Sequence, residues 1–267
     1  MKLPKRLPLI AASLLIAACA QSPTGRNQIT MLSGQQMTQL GAQSFEQMKK
    51  EIPISNDAAT NRYVQCVTNA ILKTIPPQPD FEEWEVVVFE SDQVNAFALP
   101  GGKIGVFTGL LDVAENQHQL ATVIGHEIAH VLANHSNERL SHNQIAGFSM
   151  VVADAALGAS DYAEHSSRIM AGLGLGFQYG FILPYGRTHE SEADTLGLRY
   201  MSDAGFDPRE SVALWQNMAK ASGGAQPPEF LTTHPSHSTR INALRGQVQQ
   251  LPKYGLFPSA PECKKPR

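Results

Sequence analysis

Two histidines four residues apart, with a glutamate after the first, stand inside an apolar run: Val123-Ile124-Gly125-His126-Glu127-Ile128-Ala129-His130-Val131-Leu132. On a helix, positions four apart return to within about 40° of one direction, so both imidazoles reach one ion at about 2.0–2.1 Å. Glu127 projects from the adjacent line on the same side, next to the coordination position that a catalytic zinc keeps for water, where a carboxylate handles a proton. The apolar residues between them hold such a helix against a core.

A catalytic zinc takes three protein ligands, so a third is required. Downstream, His189-Glu190-Ser191-Glu192-Ala193-Asp194 follows a proline and a glycine in a helical stretch. Glu190 is placed to ligate, with Asp194 one turn later accepting a hydrogen bond from the far nitrogen of a ligand histidine. Alone, the segment reads more readily as the solvated acidic start of a helix; beside the first motif, the ligand reading is preferred.

The remaining chain supplies elements that could position these groups. Residues 33–50 and 57–75 space apolar side chains at three and four, with Met37, Leu40 and Phe45 in the first and Tyr63, Val67, Ala70 and Ile71 in the second, the pattern of amphipathic helices. Pro76-Pro77-Gln78-Pro79 stops helix formation. Residues 84–89, 94–99 and 103–107 are rich in β-branched and aromatic types and read as strands, the last two joined by a tight turn at Pro100-Gly101-Gly102. Residues 108–115 predict a short helix and 118–134 the metal-bearing one. Residues 144–158 and 169–183 are apolar and rich in Gly and Ala, the second reading as a buried helix, and further helices follow at 187–204, 208–220 and 238–250. The fold class is therefore α+β, predominantly helical, with a small antiparallel sheet packed against the catalytic helix. Residues 94–99 read as an edge strand, where Asn95, Ala96, Phe97 and Ala98 bind an extended substrate through main-chain bonds. The plainer alternative is that they complete the core sheet.

The first residues carry Lys2, Lys5 and Arg6, then an apolar stretch over 7–18, then Cys19 in Ile16-Ala17-Ala18-Cys19. That order is a bacterial secretion signal ending at a lipoprotein cleavage site, with Cys19 acylated. The apolar stretch falls short of the roughly 20 residues a spanning helix needs. Ala20 after the cysteine favours an outer-membrane address facing the periplasm. Expected boundaries are 1–18 signal peptide, 19–30 tether, 31–258 the domain that carries the metal motifs and 259–267 tail. The chain's net charge is −3, and losing the three basic groups of the signal takes the mature protein to −6, which argues against nucleic acid as a partner. Of three cysteines, Cys66 and Cys263 remain: either a disulfide tying the tail to an early helix or two unrelated thiols.

The two metal motifs, together with Asn95-Ala96-Phe97-Ala98-Leu99-Pro100-Gly101-Gly102 and Thr233-His234-Pro235-Ser236-His237-Ser238-Thr239-Arg240-Ile241, resemble the metallopeptidase family that includes the CAAX prenyl proteases, HtpX and the mitochondrial Oma-type proteases. Nearest in kind are its periplasmic lipoprotein members, the BepA-like and LoiP-like proteases. The likeness runs from about residue 30 to 250. It implies a helical, gluzincin-type zincin fold, one zinc per chain on His126, His130 and Glu190, Glu127 as general base, and Asp194 orienting a ligand. It also brings His234 near the site, either as oxyanion donor or as a group that occupies the open zinc position; Arg240 is a second donor candidate. The chain lacks the spanning helices of the CAAX and HtpX branches, which favours soluble or peripheral substrates over membrane-embedded ones; backbone recognition at the edge strand favours unfolded or loop-exposed envelope polypeptides and, with them, a role in protein quality control. Two rivals stand beside this reading: a chaperone or assembly factor with little proteolysis, and a zinc hydrolase acting on cell-wall material.

Overall fold

The computed structural model of the protein describes residues 19–158, 183–221, 234, 238–251 and 261–266. In chain order its elements are β1 (Cys19–Gln21), β2 (Asn27–Ile29), α1 (Gly34–Glu51), α2 (Ala58–Leu72), β3 (Glu85–Phe89), β4 (Ala96–Leu99), β5 (Lys103–Phe107), α3 (Thr108–Val113), α4 (Gln117–Leu132), α5 (His135–Gly158), α6 (Leu183–Asp203), α7 (Glu210–Ala221) and α8 (Ser238–Gln250). The helix expected over 169–183 and the signal peptide over 1–18 lie outside the described residues. Among the described residues, no helix is long and apolar enough to cross a membrane.

The chain divides into two compact units. One comprises Met1–Ser33 and Ala133–Thr188. Where the sequence suggested only a turn-rich tether, β1 and β2 pair antiparallel, Cys19 opposite Ile29. The ordering comes from bonds that no local pattern announces. Arg26 forks onto Glu138 of α5 with two bonds of 2.7 Å, and Gln28 Nε2 donates to Glu138 Oε2 at 2.9 Å and to the Ala133 carbonyl at 2.6 Å. The buried carboxylate is thereby paired, as a desolvated charge must be.

The second unit comprises Gly34–Leu132 and His189–Arg267 and holds every metal-site candidate. Its three-stranded sheet has the order β3-β5-β4. β4 runs antiparallel to β5, Ala96 opposite Val106, while β3 joins the other side of β5 in parallel. The β4–β5 turn carries Gly101 and Gly102 at φ +81° and +71°, a left-handed pair that only glycine adopts cheaply. Side chains alternate along β4. Phe97 joins Phe45, Phe89 and Phe107 in an aromatic cluster, while Ala96 and Ala98 belong to the main core with the buried residues of α4. Small side chains on that face allow the strand to lie close to the helix.

The metal-bearing helix α4 is buried at every position from Gln119 to Ala129, which explains its apolar character all round. It ends at Leu132, two residues before the expected 134, because Asn134 takes a left-handed φ of 54°. α2 begins on Asp57, whose carboxylate caps the Thr60 amide at 2.7 Å, and buries Tyr63, Val64, Val67 and Ile71. On α1, Met37 and Phe45 are buried, but Leu40 is 45% exposed, so the stripe read from the sequence is narrower than expected. α6 begins earlier than expected, taking Pro184 into its first turn, where a missing N–H costs nothing. Cys66 and Cys263 form a disulfide with Cα atoms 5.7 Å apart, and the Cys263 amide donates to Gln117 Oε1 at the start of α4.

Tyr63 is 1% exposed, and its hydroxyl makes no hydrogen bond among the described residues. Burial pushes the phenol's pKa well up. The folded state then keeps a proton that the unfolded chain loses near pH 10, so stability falls as pH rises past that point, by about 1.4 kcal/mol per pH unit. Tyr63→Phe is expected to raise stability by about 1 kcal/mol at pH 7 and to flatten that alkaline decline. Urea unfolding of both proteins at pH 7, 9 and 11 measures it; an unchanged or lower midpoint for the variant at every pH contradicts it.

Candidate metal centre

The centre is built where α4 and α6 cross through glycines. A Cβ on Gly197 would lie 2.8 Å from the His126 amide nitrogen and 3.0 Å from the Gly125 carbonyl carbon, and one on Gly125 would lie 2.9 Å from the Gly197 carbonyl oxygen. With backbones in direct contact, Asp194 and Glu190, one and two turns before Gly197, arrive beside His126 and His130. Neither glycine was singled out from the sequence, though an isolated glycine inside a helical pattern is a signal for close packing.

Four side chains present donor atoms within 4.8 Å of one another: His126, His130, Glu190 and His234. His126 Nε2 stands 3.0 Å from His130 Nε2, 3.2 Å from His234 Nδ1 and 3.3 Å from Glu190 Oε2. Glu190 Oε1 is 3.4 Å from His130 Nε2 and 3.0 Å from His234 Nδ1. Four ligands at about 2.0–2.1 Å from one ion in a tetrahedron stand about 3.3–3.4 Å apart. The measured separations and the nitrogen and carboxylate donor set therefore fit a single zinc-sized ion.

Glu127 is buried. Its Oε2 accepts the Ala98 amide of β4 at 3.2 Å. Oε1 makes no hydrogen bond among the described residues and lies 3.4 Å from His234 Nε2. The imidazole of His234 thus spans the gap between this carboxylate and the other three donors. Asp194 Oδ1 is 3.1 Å from His126 Nδ1, a contact that would leave Nε2 as the ring nitrogen facing an ion held here.

The charges are tightly coupled. Burial opposes ionisation of Glu190, but bonds from His126, His130 and His234 overcome it and hold the carboxyl far below the usual range. Asp194 is likewise kept low against its burial, chiefly by the Arg240 cation. Burial would lower His126, yet Asp194 and Glu190 raise it to about 9. Burial dominates at His130, driving its pKa well down, and at Glu127, driving its pKa up.

The sequence matches peptidase family M48 over residues 58–248, a span containing every one of these side chains. The chain belongs to that family. It is 33% identical over 242 residues to the mitochondrial metalloendopeptidase OMA1 of Bos taurus, covering 85% of this chain and 45% of that protein. It is 35% identical over 186 residues to the corresponding protein of Schizosaccharomyces pombe, covering 69% and 52%. A beta-barrel assembly-enhancing protease of Yersinia pestis is 29% identical over 226 residues, covering 82% and 45%. The chain thus spans about half the length of the curated relatives it matches.

Within this M48 domain, two expected site residues sit differently from their first reading. Arg240 was a candidate oxyanion donor or a surface residue. Instead it is 8% exposed, bonded to Asp194 at 2.6 and 2.7 Å and 3.0 Å from Glu190. Its guanidinium is bonded to the acidic groups beside the four donors, which contradicts the surface reading of this residue. The side chain of Phe97 lies in the aromatic cluster and its backbone pairs with β5 opposite Gly105, so of the four residues read as substrate-binding only Ala96 and Ala98 turn backbone groups away from the sheet. Trp215 of α7, whose ring lies 3.9 Å from the Arg240 guanidinium carbon, was missed, since nothing in its local sequence marks it.

Proposed function

We propose that this M48 chain is a zinc-dependent endopeptidase, one zinc per chain, anchored through lipid on Cys19 in a bacterial envelope, cleaving unfolded or loop-exposed envelope polypeptides as part of protein quality control. The observation that carries the reading is the convergence of His126, His130 and Glu190 at 3.0–3.4 Å beside the buried carboxylate of Glu127. A structural zinc site needs no such carboxylate.

Held by His126, His130 and Glu190, a zinc ion would supply Lewis-acid chemistry, polarising a peptide carbonyl and making a nearby water acidic enough to react near neutral pH. Glu127 Oε1 accepts the proton of that water and returns it to the leaving amine. Oε2 stays pinned by the Ala98 amide, which holds the carboxylate in place throughout. Asp194 accepts from His126 Nδ1–H and leaves Nε2 free to ligate. The substrate backbone adds along β4, an edge strand of the sheet.

Purified chain is expected to cleave unfolded casein, to stop when zinc is removed by a chelator, and to recover when zinc returns. Cleavage that persists after complete chelation refutes the reading.

His234 stands where the attacking water belongs, between Glu127 and the ligands, and we take it as a latch that closes the resting enzyme in place of an oxyanion donor. If about a tenth of the molecules are open at rest, removing the latch raises cleavage about tenfold. His234→Ala is therefore expected to be more active than wild type on casein; a fall in rate would restore the oxyanion role. The closed site also supports the second reading, a chaperone or assembly factor with latent proteolysis, in keeping with a relative named for enhancing β-barrel assembly. A Glu127→Gln strain that retains full envelope integrity favours that alternative.

For location, the basic and apolar N-terminus ending at Cys19 supports lipid anchoring, and the Cys66–Cys263 disulfide fits an oxidising compartment. Cys19→Ser is expected to move the protein from the outer-membrane fraction to the soluble one, read by fractionation and by the mass of the N-terminal peptide.

A further inference from the structure

Arg240 enters from the first turn of α8, six residues after His234. Its planar fork of N–H groups is fully committed. Nε and Nη2 go to Asp194 at 2.6 and 2.7 Å, while Nη1 lies 3.0 Å from Glu190 Oε2 and donates to the His234 carbonyl oxygen at 3.3 Å. The face of the guanidinium rests on Trp215. One cation therefore touches a candidate metal ligand, the residue that orients a second ligand, and the backbone of the residue that closes the site.

We infer that Arg240 is a positioning residue that couples the seating of His234 to the carboxylates of the metal centre. The inference rests on the latch reading of His234 given above. Its physical basis is twofold. First, Glu127, Glu190 and Asp194 bring three negative charges to a divalent ion, and Arg240 supplies the balancing positive charge in a buried setting where imbalance is costly. Second, the same Nη1 serves Glu190 and the His234 carbonyl, so the backbone that carries the latch is registered against a ligand oxygen. Withdrawal of His234 breaks one bond of the guanidinium and leaves those to Asp194 and Glu190 intact. The ligands thus keep their places when the site opens, and the latch has a fixed seat to return to. Lysine cannot do this, because a single ammonium on a flexible stem does not span two carboxylates and a carbonyl.

The test is a double-mutant cycle on the full chain: wild type, Arg240→Lys, His234→Ala and the pair, with zinc affinity measured by competition against a chromophoric chelator and folding checked by circular dichroism. With Arg240 present, His234→Ala is expected to weaken zinc at least about fivefold, the scale of a directly coupled pair. In the Arg240→Lys background the same change is expected to weaken it less than about twofold. Equal weakening in both backgrounds overturns the coupling while leaving the latch standing. No weakening in either removes the latch reading and the coupling together, and failure to bind zinc removes the metal reading as well. Should Arg240→Lys fail to fold, Trp215→Phe, which loosens the stacked face and keeps the core filled, passes through the same cycle under the same criterion.

Discussion

Glu127→Gln is expected to lower the turnover of peptide cleavage by about 10²–10⁴-fold, the range for loss of a positioned general base, with zinc content unchanged at one per chain. Glutamine keeps the size of the side chain, and its amide oxygen still accepts the Ala98 amide now held by Oε2 at 3.2 Å. What disappears is Oε1 as the proposed proton acceptor, the oxygen that makes no hydrogen bond among the described residues. Because Glu127 is absent from the four-donor group, metal affinity is expected to stay within a few fold of wild type. Turnover on a fluorogenic peptide, with zinc measured on the same sample, checks both halves. A variant that cleaves at the wild-type rate removes Glu127 from the chemistry; one that loses zinc as well moves it among the ligands.

Gly197→Ala is expected to be nearly as damaging although it touches no metal ligand side chain. The added methyl would meet the His126 amide nitrogen at 2.8 Å and the His126 Cα at 3.0 Å. Both are backbone atoms, so α4 and α6 have to part. Overpacking of this kind costs about 1–3 kcal/mol. Separation also draws Glu190 and Asp194 away from His126 and His130, so zinc affinity is expected to fall about 10–100-fold, the effect of disturbing the groups that orient a ligand. Gly246→Ala on α8 is the contrast: nothing lies within 4 Å of the new Cβ, and the change is expected to stabilise by about 0.4–1 kcal/mol. Thermal unfolding and chelator competition on both variants decide the matter. Wild-type affinity and stability in Gly197→Ala would mean that the crossing has room to spare.

Much of the centre was legible because it is local. A four-residue spacing inside an apolar helix dictates that His126 and His130 face one point, and the same helical geometry relates Glu190 to Asp194. Bringing the two pairs together across sixty residues was legible only through family likeness, since the cause is a backbone crossing at Gly125 and Gly197 that no side-chain pattern reports. Arg240 shows the limit more sharply. Its partners Asp194 and Glu190 lie 46 and 50 positions upstream in the chain, and an arginine in a polar, turn-rich stretch looks solvated until the tertiary fold surrounds it. The strands were recognisable from their β-branched runs, whereas the parallel pairing of β3 with β5 depends on how non-adjacent segments meet. The ordered β1–β2 hairpin escaped for the same reason, because its stability comes from Glu138, more than a hundred residues away.

The pairing of β4 has a consequence for how a polypeptide is held. The Phe107 amide donates to the Asn95 carbonyl at 3.1 Å, and in this register Phe97 and Leu99 also turn their backbone groups toward β5. Ala96 and Ala98 are then the residues whose amides and carbonyls point away from the sheet. Of those two amides, that of Ala98 is already engaged by Glu127. In the binding mode proposed above, a guest chain would find only a short set of anchoring points, and the missing one would coincide with Glu127, the proposed general base. Under that proposal, the grip along this edge would be brief and indifferent to residue type, and the guest's backbone would forgo a partner at the point that faces Glu127.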